Sequence, residues 1–537
     1  MVATRENFPL LAELLAEQQR LDTPVARFSS AHDLGLVSRR SAIDSQLIPL
    51  TAPRPSEQYA FEVDLDSCTG CKSCVAACHA LNGLDDTETW RDVGLLVSND
   101  RRHPFTQTVT TACHHCADPA CLNGCPVLAY EKDPVTGIVR HLDDQCIGCQ
   151  YCILKCPYDA PKYNARLGIV RKCDLCHSRL AGGDAPACAQ ACPTHAIRIV
   201  TVTVGGALRP DRPVESGRNA PPTTFLPGAP DPGYTQPTTC YVTHRTLPDN
   251  QVAADAATLR PQPPHWPLAI MLTLLPVAVG LACAASALLL LRRLPPSVTY
   301  YVTLSLPSPR MGNESVTYYV TLASWVAGAL GLGASVFHLG QPLRAWRIFL
   351  GWRKSWLSRE ALVFGAWFGI ATATLVLPAL APLSAAVGVA GLACSAMIYI
   401  DTRRHFWRAA QTGPRFFGTA IVSALAITAA PIAAFVLLAK LAWESRTAFD
   451  GSVTARLQRG PLRRAVALRD VCGFVAVIGL LAGPNPFAFA AIFAGELIER
   501  HLFFRAVDAP KMPGLPSGAS AKEGLPAGAL AKEPAPA

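Results

Sequence analysis

The hydrophobic positions of the chain change character near residue 266, where long apolar runs begin. Runs near 267–291, 317–337, 360–380, 383–400 and 417–441 approach the roughly 20 residues that cross a bilayer as a helix. Another apolar stretch follows Arg469, and Gly483, Pro484 and Pro486 favour two short helices there over one long helix. The pattern therefore predicts about seven membrane helices over residues 266–506, with six or eight also allowed.

Before residue 266 the apolar pieces are short and interrupted by cysteines, which leaves room for small strands, turns and helices of one or two turns. Residues 57–204 predict an α+β polyferredoxin domain, built as two tandem ferredoxin-like units whose core is organised by metal. An all-α polytopic membrane domain follows it. Residues 1–56 form an N-terminal extension with a short amphipathic stretch of helical spacing around Leu10 to Leu15.

Two further segments predict little regular structure. Residues 205–265 are rich in proline and indicate an extended linker, although 238–248 have a strand-like composition and could lie along a neighbouring surface. Residues 507–537 contain a near-repeat of small residues and proline, which is typical of a disordered tail.

The composition indicates that part of the chain lies in a membrane. Half of the 537 residues are hydrophobic and only 16% are charged, which is too apolar for a disordered chain or an average soluble domain. The length excludes a small single-core binding module. The formal net charge of +9 fits the cytoplasmic loops of a membrane protein, so we expect membrane lipid and no nucleic acid among the partners.

The arginines favour one orientation. Loops 337–360 and 401–416 are rich in arginine, whereas the turn between the intervening helices is uncharged. The first residues contain neither a twin arginine nor a signal-peptide pattern, so we expect an inner (cytoplasmic) membrane protein whose cysteine-rich domain faces the cytoplasm. In a seven-helix arrangement the arginine-rich segment 445–469 would lie on the membrane side opposite to loops 337–360 and 401–416. This conflict indicates that the number of helices differs from seven.

Cysteine is the strongest chemical signal, because sixteen of the 20 cysteines lie between Cys68 and Cys192. The third of four groups, CIGCQYCILKCP, has the C-x2-C-x2-C-x3-C-P spacing with which bacterial ferredoxins hold [4Fe-4S] clusters. The first group has the same spacing without the proline, and the second and fourth lengthen one gap but also end in Cys-Pro. We therefore expect four [4Fe-4S] clusters and, with no nucleotide-binding motif in the chain, a role in electron transfer.

The spacing also predicts which cysteines share a cluster, because in the ferredoxin run three cysteines hold one cluster and the fourth reaches its neighbour. The rule predicts an outer unit with sets 1 and 2 and an inner unit with sets 3 and 4. The members are set 1 (Cys68, Cys71, Cys74, Cys192), set 2 (Cys78, Cys173, Cys176, Cys188), set 3 (Cys113, Cys116, Cys121, Cys156) and set 4 (Cys125, Cys146, Cys149, Cys152).

Two other metal chemistries fit the motifs less well. Structural zinc sites use two separated cysteine pairs, whereas four cysteines packed within eleven residues suit a cube with four corners. CDLCH at 173–177 matches a c-type haem motif, but both of its cysteines are needed to complete the fourth group. Haem b is not expected either, because His338, His405 and His501 all lie near helix ends.

His338 and Glu360 lie at the ends of adjoining spans, beside arginines and tryptophans. A quinone head group could reach them from the interface and exchange protons with them, since ionisable residues at membrane depth are functional candidates. Alternatively, such residues only anchor a helix end at the level of the lipid head groups, and the residues alone leave both interpretations open. Glu496, Glu499 and His501 pose the same choice, with the anchoring role favoured.

These motifs resemble two subunits of one enzyme family joined in a single chain. ACHHCADPACLNGCP, CIGCQYCILKCPYDAPKY and RKCDLCHSRLAGGDAPACAQACP resemble the iron-sulfur electron-transfer subunit of the dimethyl sulfoxide reductase family of molybdoenzymes. HLGQPLRAW, SWLSRE, TGPRFFGTA and GELIERHLFF resemble the quinol-oxidising membrane anchor of that family. The resemblance covers about 57–204 and 266–506, and the chain departs from it in the fusion, the N-terminal extension and an anchor that counts one helix short.

The resemblance implies an electron relay between the quinone pool and a molybdopterin catalytic subunit on a separate chain. It implies that the sixteen cysteines are cluster ligands and that His338 and Glu360 belong to the quinol site. An alternative function is a self-sufficient membrane ferredoxin:quinone oxidoreductase without a molybdenum partner. A transporter powered by the clusters is disfavoured, because the polar residues gather at helix ends instead of midway through the spans.

Overall fold

The computed structural model describes residues 44–98, 104–204, 225–226, 228–248, 250–256, 258–291, 313–483 and 485–512, together with Glu13, Glu17 and Arg20. These three single residues are helical and exposed, and the rest of the predicted amphipathic stretch lies outside the described residues. Most of the predicted tail also lies outside them.

The cysteine-rich domain combines small sheets with short helices, which confirms the predicted α+β ferredoxin-like class. Its strands form two three-stranded sheets, ordered β8-β1-β9 and β10-β2-β3, and two hairpins. The strands are β1 Glu57–Asp64, β2 Asp92–Ser98, β3 Thr106–Thr111, β4 Tyr130–Lys132, β5 Val139–His141, β6 Lys162–Asn164, β7 Ile169–Arg171, β8 Ile197–Thr203, β9 Cys240–Val242 and β10 Gln251–Ala253. The helices are α1 Asp44–Leu47, α2 Ser73–Asn82, α3 Ala120–Gly124, α4 Tyr151–Lys155, α5 His177–Ala181 and α6 Ala187–Gln190.

Strand pairing brings distant cysteine groups together. Cys68 follows β1 and Cys192 precedes β8, and because these strands are antiparallel the two cysteines meet at one end of the sheet. The β4–β5 hairpin does the same for Cys125, which precedes it, and Cys146, which follows it. The ligand groups of each unit are thus joined by backbone hydrogen bonds.

The predicted linker is in part a component of this domain. β9 pairs in parallel with β1, and β10 pairs antiparallel with β2, so residues 238–256 complete both sheets. Tyr241 is buried and hydrogen-bonds to Thr111 at 3.0 Å. The prediction of a linker over the whole of 205–265 was wrong for this segment, because β1 and β2 would otherwise leave an edge of unpaired N–H and C=O groups.

The second domain is helical. Its helices are α7 Trp266–Leu291, α8 Asn313–Val336, α9 Trp356–Thr374, α10 Ala381–Ile400, α11 Ala409–Thr428, α12 Ala430–Ser445, α13 Val453–Arg459, α14 Arg463–Leu481 and α15 Pro486–Arg505. The described segments Trp266–Leu291, Ser315–Val336 and Pro378–Ile400 are long and apolar enough to cross a membrane. α7 packs against α8, α10, α11 and α15 and so forms the centre of this domain.

The described part of this domain contains eight helices of 16 residues or more, and the apolar pattern predicts about seven membrane helices with six or eight allowed. The extra helix arises because the predicted span 417–441 is the pair α11 and α12, joined at Ala429 with φ −157° and ψ 67°. Pro431 in the first turn of α12 favours a helix boundary there, since proline disfavours the helical conformation of the residue before it.

The additional helix also resolves the charge pattern. With α11 and α12 as separate antiparallel helices, the arginine-rich segment 446–462 returns to the end of the bundle that carries loops 337–355 and 401–408. Asp450 accordingly lies within electrostatic reach of His405 and Arg408. All three cationic loops therefore lie at the end that faces the cysteine-rich domain.

Residues 506–512 continue beyond α15 and pack against the cysteine-rich domain. Met512 is buried in its core, and Lys511 forms an ion pair with Asp255. The prediction of a disordered tail from residue 507 was therefore wrong for residues 507–512, because an apolar side chain and an ion pair hold this segment in place.

The two domains dock through backbone contacts. The Gln341 amide and side chain donate to the carbonyls of Ile147 (3.0 Å) and Leu167 (2.8 Å). Gly340 lies so close to the domain that an added Cβ would overlap the carbonyl oxygen of Gly168. Lys155 forms an ion pair with Asp401 at 2.6 Å on the other side of the junction.

Candidate functional site

Each of the four cysteine groups begins with the same backbone turn. The residue before the second cysteine is left-handed in every group: Gly70 (φ 74°), His115 (φ 42°), Gly148 (φ 69°) and Leu175 (φ 61°). Such turns aim successive N–H groups at one centre and form concave anion sites, which occur in iron-sulfur proteins. The four groups therefore fold into four similar cradles for a negatively charged group.

Two of the predicted ligand sets surround cavities. The four cysteines of set 3 line one cavity of about 360 Å³. Those of set 1 line another of about 300 Å³. Each set includes one cysteine from a distant group, Cys156 and Cys192 respectively, which the strand pairing brings in.

The cysteines of the other two sets are also brought together. In set 4, Cys149 and Cys152 both lie within electrostatic reach of Cys125 and Cys146. In set 2, the neighbours are Cys78, Cys173, Cys176 and Cys188. The sixteen cysteines thus group as the spacing predicts, and their ligation of clusters is a proposal.

The donor sets fit iron-sulfur clusters. Burial, with a smaller contribution from Cys188, raises the pKa of Cys78 to about 12, and burial raises that of Cys125 to about 11, so their thiolates need a bound cation. Among the described residues, no three His, Cys, Asp or Glu side chains are spaced for a single metal ion. The cysteines of sets 1 and 3 surround a space instead of converging on a point, which suits a cluster with a ligand at each corner.

Hydrogen bonds to the sulfurs repeat between the inner and outer units. The Ala129 amide donates to the Cys125 sulfur at 3.2 Å, and the Ala196 amide donates to the Cys192 sulfur at 3.3 Å. Both amides lie four residues after a cysteine of a Cys-Pro pair. Such bonds stabilise a ligating thiolate and influence the potential of the cluster that it holds.

A third cavity, of about 940 Å³, lies at the junction of the two domains. It brings together His338 at the end of α8, Glu360 in α9 and Cys149 of set 4. Its remaining wall is mostly apolar and includes Leu268, Met271, Leu275, Leu332, Leu357 and Phe364. An apolar cavity with a few convergent polar groups is the usual form of a small-molecule site.

His338 connects this cavity to the cysteine-rich domain. Its Nε2 lies 3.1 Å from the carbonyl oxygen of Cys149, which can only accept, so Nε2 carries the hydrogen and Nδ1 is the acceptor nitrogen. Burial lowers the pKa of His338 and thereby favours the neutral imidazole.

Glu360 is buried and accepts a hydrogen bond from the Ser395 hydroxyl of α10. Its neighbour Arg359 instead lies over the Trp356 ring at 4.4 Å and donates to the carbonyls of Trp352 and Arg353. The anchoring interpretation therefore fits Arg359, whereas Glu360 lines the cavity.

Glu496 and Glu499 lie elsewhere, in a buried ionic network between α11, α12, α14 and α15. Lys440 contacts Glu496 at 2.7 Å and Glu444 at 2.8 Å, and Arg415 contacts Glu499 at 2.8 Å. Sequence reasoning missed this network, although Lys440 inside a predicted span, four residues before Glu444, was a visible signal. His501 stacks on Trp266 at 4.4 Å.

Comparisons with known proteins agree with this division. A family model described as a 4Fe-4S dicluster domain matches residues 105–202, and one described as DMSO reductase anchor subunit (DmsC) matches residues 297–435. The B subunit of the anaerobic dimethyl sulfoxide reductase of Haemophilus influenzae is 39% identical over 150 residues, which are 26% of this chain and 73% of that protein. The corresponding subunit from Escherichia coli K12 is 38% identical over 148 residues, 26% of this chain and 72% of that protein.

A relative from a different complex matches the same domain. The formate dehydrogenase-O iron-sulfur subunit of Escherichia coli K12 is 34% identical over 197 residues, which are 33% of this chain and 65% of that protein. The cysteine-rich domain is thus similar to iron-sulfur subunits that serve different enzymes, and the helical domain is similar to a membrane anchor.

Proposed function

Since the chain belongs to the dimethyl sulfoxide reductase family, with the iron-sulfur subunit and the membrane anchor in one polypeptide, we propose that it relays electrons between the quinone pool and a separate molybdopterin subunit. The sixteen cysteines would hold four [4Fe-4S] clusters, one per set. The bound clusters would accept and pass on electrons one at a time.

The observation that carries the proposal is the cavity at the domain junction. It is apolar enough for a quinone ring and tail, and it offers one basic and one acidic side chain for the two oxygens of the head group. Cys149 of set 4 lies in its wall, so a quinol bound there would be next to a cluster ligand.

Oxidation of a quinol releases two electrons and two protons. His338 would accept the proton of one quinol hydroxyl at Nδ1, because Nε2 already donates to the Cys149 carbonyl. Glu360 would accept the proton of the other hydroxyl, and the Ser395 hydroxyl would stabilise the carboxylate in its charged form. The two electrons would leave singly by way of set 4.

The sets form a series from this cavity to the protein surface. Tyr130 lies within electrostatic reach of both set 4 and set 3, Cys173 of set 2 is near Cys113 of set 3, and Cys74 of set 1 is near Cys188 of set 2. Cys71 of set 1 is exposed. Electrons would therefore leave from set 1 to a catalytic subunit docked at that end.

The membrane side follows from the charged loops. All three described arginine-rich loops lie at the end of the bundle that carries the cysteine-rich domain. By the positive-inside rule this end faces the cytoplasm of an inner-membrane protein.

The quinol site is tested with Glu360→Gln in membranes, by following cluster reduction by a quinol analogue. We expect a rate about 10²-fold lower than that of the wild type, because a positioned proton acceptor is lost, and unchanged reduction by dithionite. Arg359→Gln is the matched control, since its side chain lies outside the cavity. An unchanged quinol rate in Glu360→Gln would remove this residue from the site.

A further inference from the structure

Arg91 is a buried cation that forms no ion pair among the described residues. It is 2% exposed, and its guanidinium lies over the Phe61 ring at 4.4 Å. One nitrogen donates to the Thr110 hydroxyl at 3.3 Å, whereas Nε and the other terminal nitrogen have no hydrogen-bond partner among the described residues. Since an unpaired buried charge is costly, an anion other than the carboxylates of the described residues would stabilise it.

The thiolates of the two outer sets surround this charge. It acts on Cys74 of set 1 and on Cys78, Cys173 and Cys188 of set 2. The Thr110 hydroxyl that orients the guanidinium also lies 3.6 Å from the Cys74 sulfur. Arg91 therefore lies between sets 1 and 2.

Lys172 has the equivalent place between sets 2 and 3. It is 2% exposed, and its ammonium donates to the carbonyls of Val139 and Cys173 without a carboxylate contact in the described structure. Its charge acts on Cys113 and Cys121 of set 3 and on Cys173 of set 2, and Asp174 makes a smaller contribution.

We propose that Arg91 and Lys172 are positioning charges that raise the reduction potentials of the clusters in sets 1, 2 and 3. A [4Fe-4S] cluster with four thiolates is negative, and each electron that it accepts adds one negative charge. A fixed cation in the low-dielectric interior stabilises that added charge, and no proton has to move. The proposal rests on the proposed function only for the presence of the four clusters.

The two cations act on different pairs of cysteine sets. The main electrostatic partners of Arg91 are cysteines of sets 1 and 2, those of Lys172 are cysteines of sets 2 and 3, and neither group of partners includes a cysteine of set 4, which lies beside the quinol cavity. Set 4 would thus keep its potential whichever cation is removed, and it provides a reference within the same molecule.

The test is a redox titration of the purified, cluster-loaded chain, followed by electron paramagnetic resonance with dithionite as the electron source. For Arg91→Met we expect the equilibrium constants for one-electron reduction of the clusters in sets 1 and 2 to fall at least tenfold. A tenfold fall lowers the reduction potential of a one-electron couple by about 59 mV. Lys172→Met should do the same to sets 2 and 3. The iron content is measured in parallel.

Two further variants keep the result interpretable. Arg91→Lys retains the positive charge, so the clusters of sets 1 and 2 should keep reduction potentials close to those of the wild type even if the packing around residue 91 changes. Lys72→Gln removes an exposed cation next to Cys71, and water should screen its effect to well under tenfold. Unchanged reduction potentials in Arg91→Met with full iron content would overturn the proposal and leave the proposed relay unaffected. The proposal would also be overturned if Arg91→Lys lowered the potentials as much as Arg91→Met does. A wild-type chain without clusters would instead refute the proposed function.

Discussion

Each of the four ligand loops has a left-handed residue immediately before its second cysteine. Glycine takes this conformation without strain at positions 70 and 148, whereas His115 and Leu175 adopt it at a cost that the surrounding structure must offset. The cysteine spacing predicts which residues approach one another, but it contains no signal for His115 or Leu175. Their conformations follow from the closed loop and not from local preference.

Arg91 and Lys172 illustrate the same limit. Nothing in the sequence around Arg91, a single arginine before β2, indicates a role. Its environment becomes evident only in the structure, where β1 and β3 place Phe61 and Thr110 beside it. The cysteine sets follow from short-range spacing and one known rule, whereas the cations between the sets depend on contacts between strands that are far apart in the chain.

Cys156→Ser tests the assignment of ligands to sets. Because Cys156 lines the set 3 cavity, its loss should abolish or convert that cluster and leave the clusters of sets 1 and 2 intact. Iron analysis and electron paramagnetic resonance measure both effects. Cys240→Ser is the control, since Cys240 is buried in β9 and belongs to no set. Loss of all four clusters in Cys156→Ser would contradict the pairing.

At the scale of elements, the helix pair α11 and α12 shows how a hydropathy pattern can mislead. Residues 417–441 form one continuous apolar run, yet Pro431 divides it, and the apolar residues on both sides conceal the break. The opposite case is the pair α14 and α15, where the glycine and prolines made the division predictable. β9 and β10 were obscured by the prolines around them.

The docking loop after α8 depends on the close approach of two glycines. Gly340→Ala should force the Gly340 and Gly168 backbones apart and so move His338 away from Cys149, because the added Cβ has no space. We expect slower cluster reduction by quinol with unchanged iron content and unchanged reduction by dithionite. Gly333→Ala is the matched control, since a Cβ there meets nothing within 4 Å. Equal rates in the two variants would show that the close approach is not needed.

At the scale of the whole molecule, one chain connects a membrane cavity to an exposed cysteine through four ligand sets. The inner unit docks on the helices through Gln341, Lys155 and their partners. Fusion of the two parts in one polypeptide keeps the cavity next to set 4, since His338 and the Cys149 carbonyl that accepts its hydrogen bond belong to the same chain.

The central claim is that electrons taken from quinol pass through the four clusters to a separate molybdenum subunit. It is tested most directly by isolating the tagged chain from membranes under anaerobic conditions in mild detergent, with metal analysis and mass spectrometry of whatever co-elutes. We predict about sixteen irons per chain, for four [4Fe-4S] clusters, together with molybdenum and one large partner protein. Abundant iron with neither molybdenum nor a partner would contradict the claim and favour a self-sufficient ferredoxin:quinone oxidoreductase.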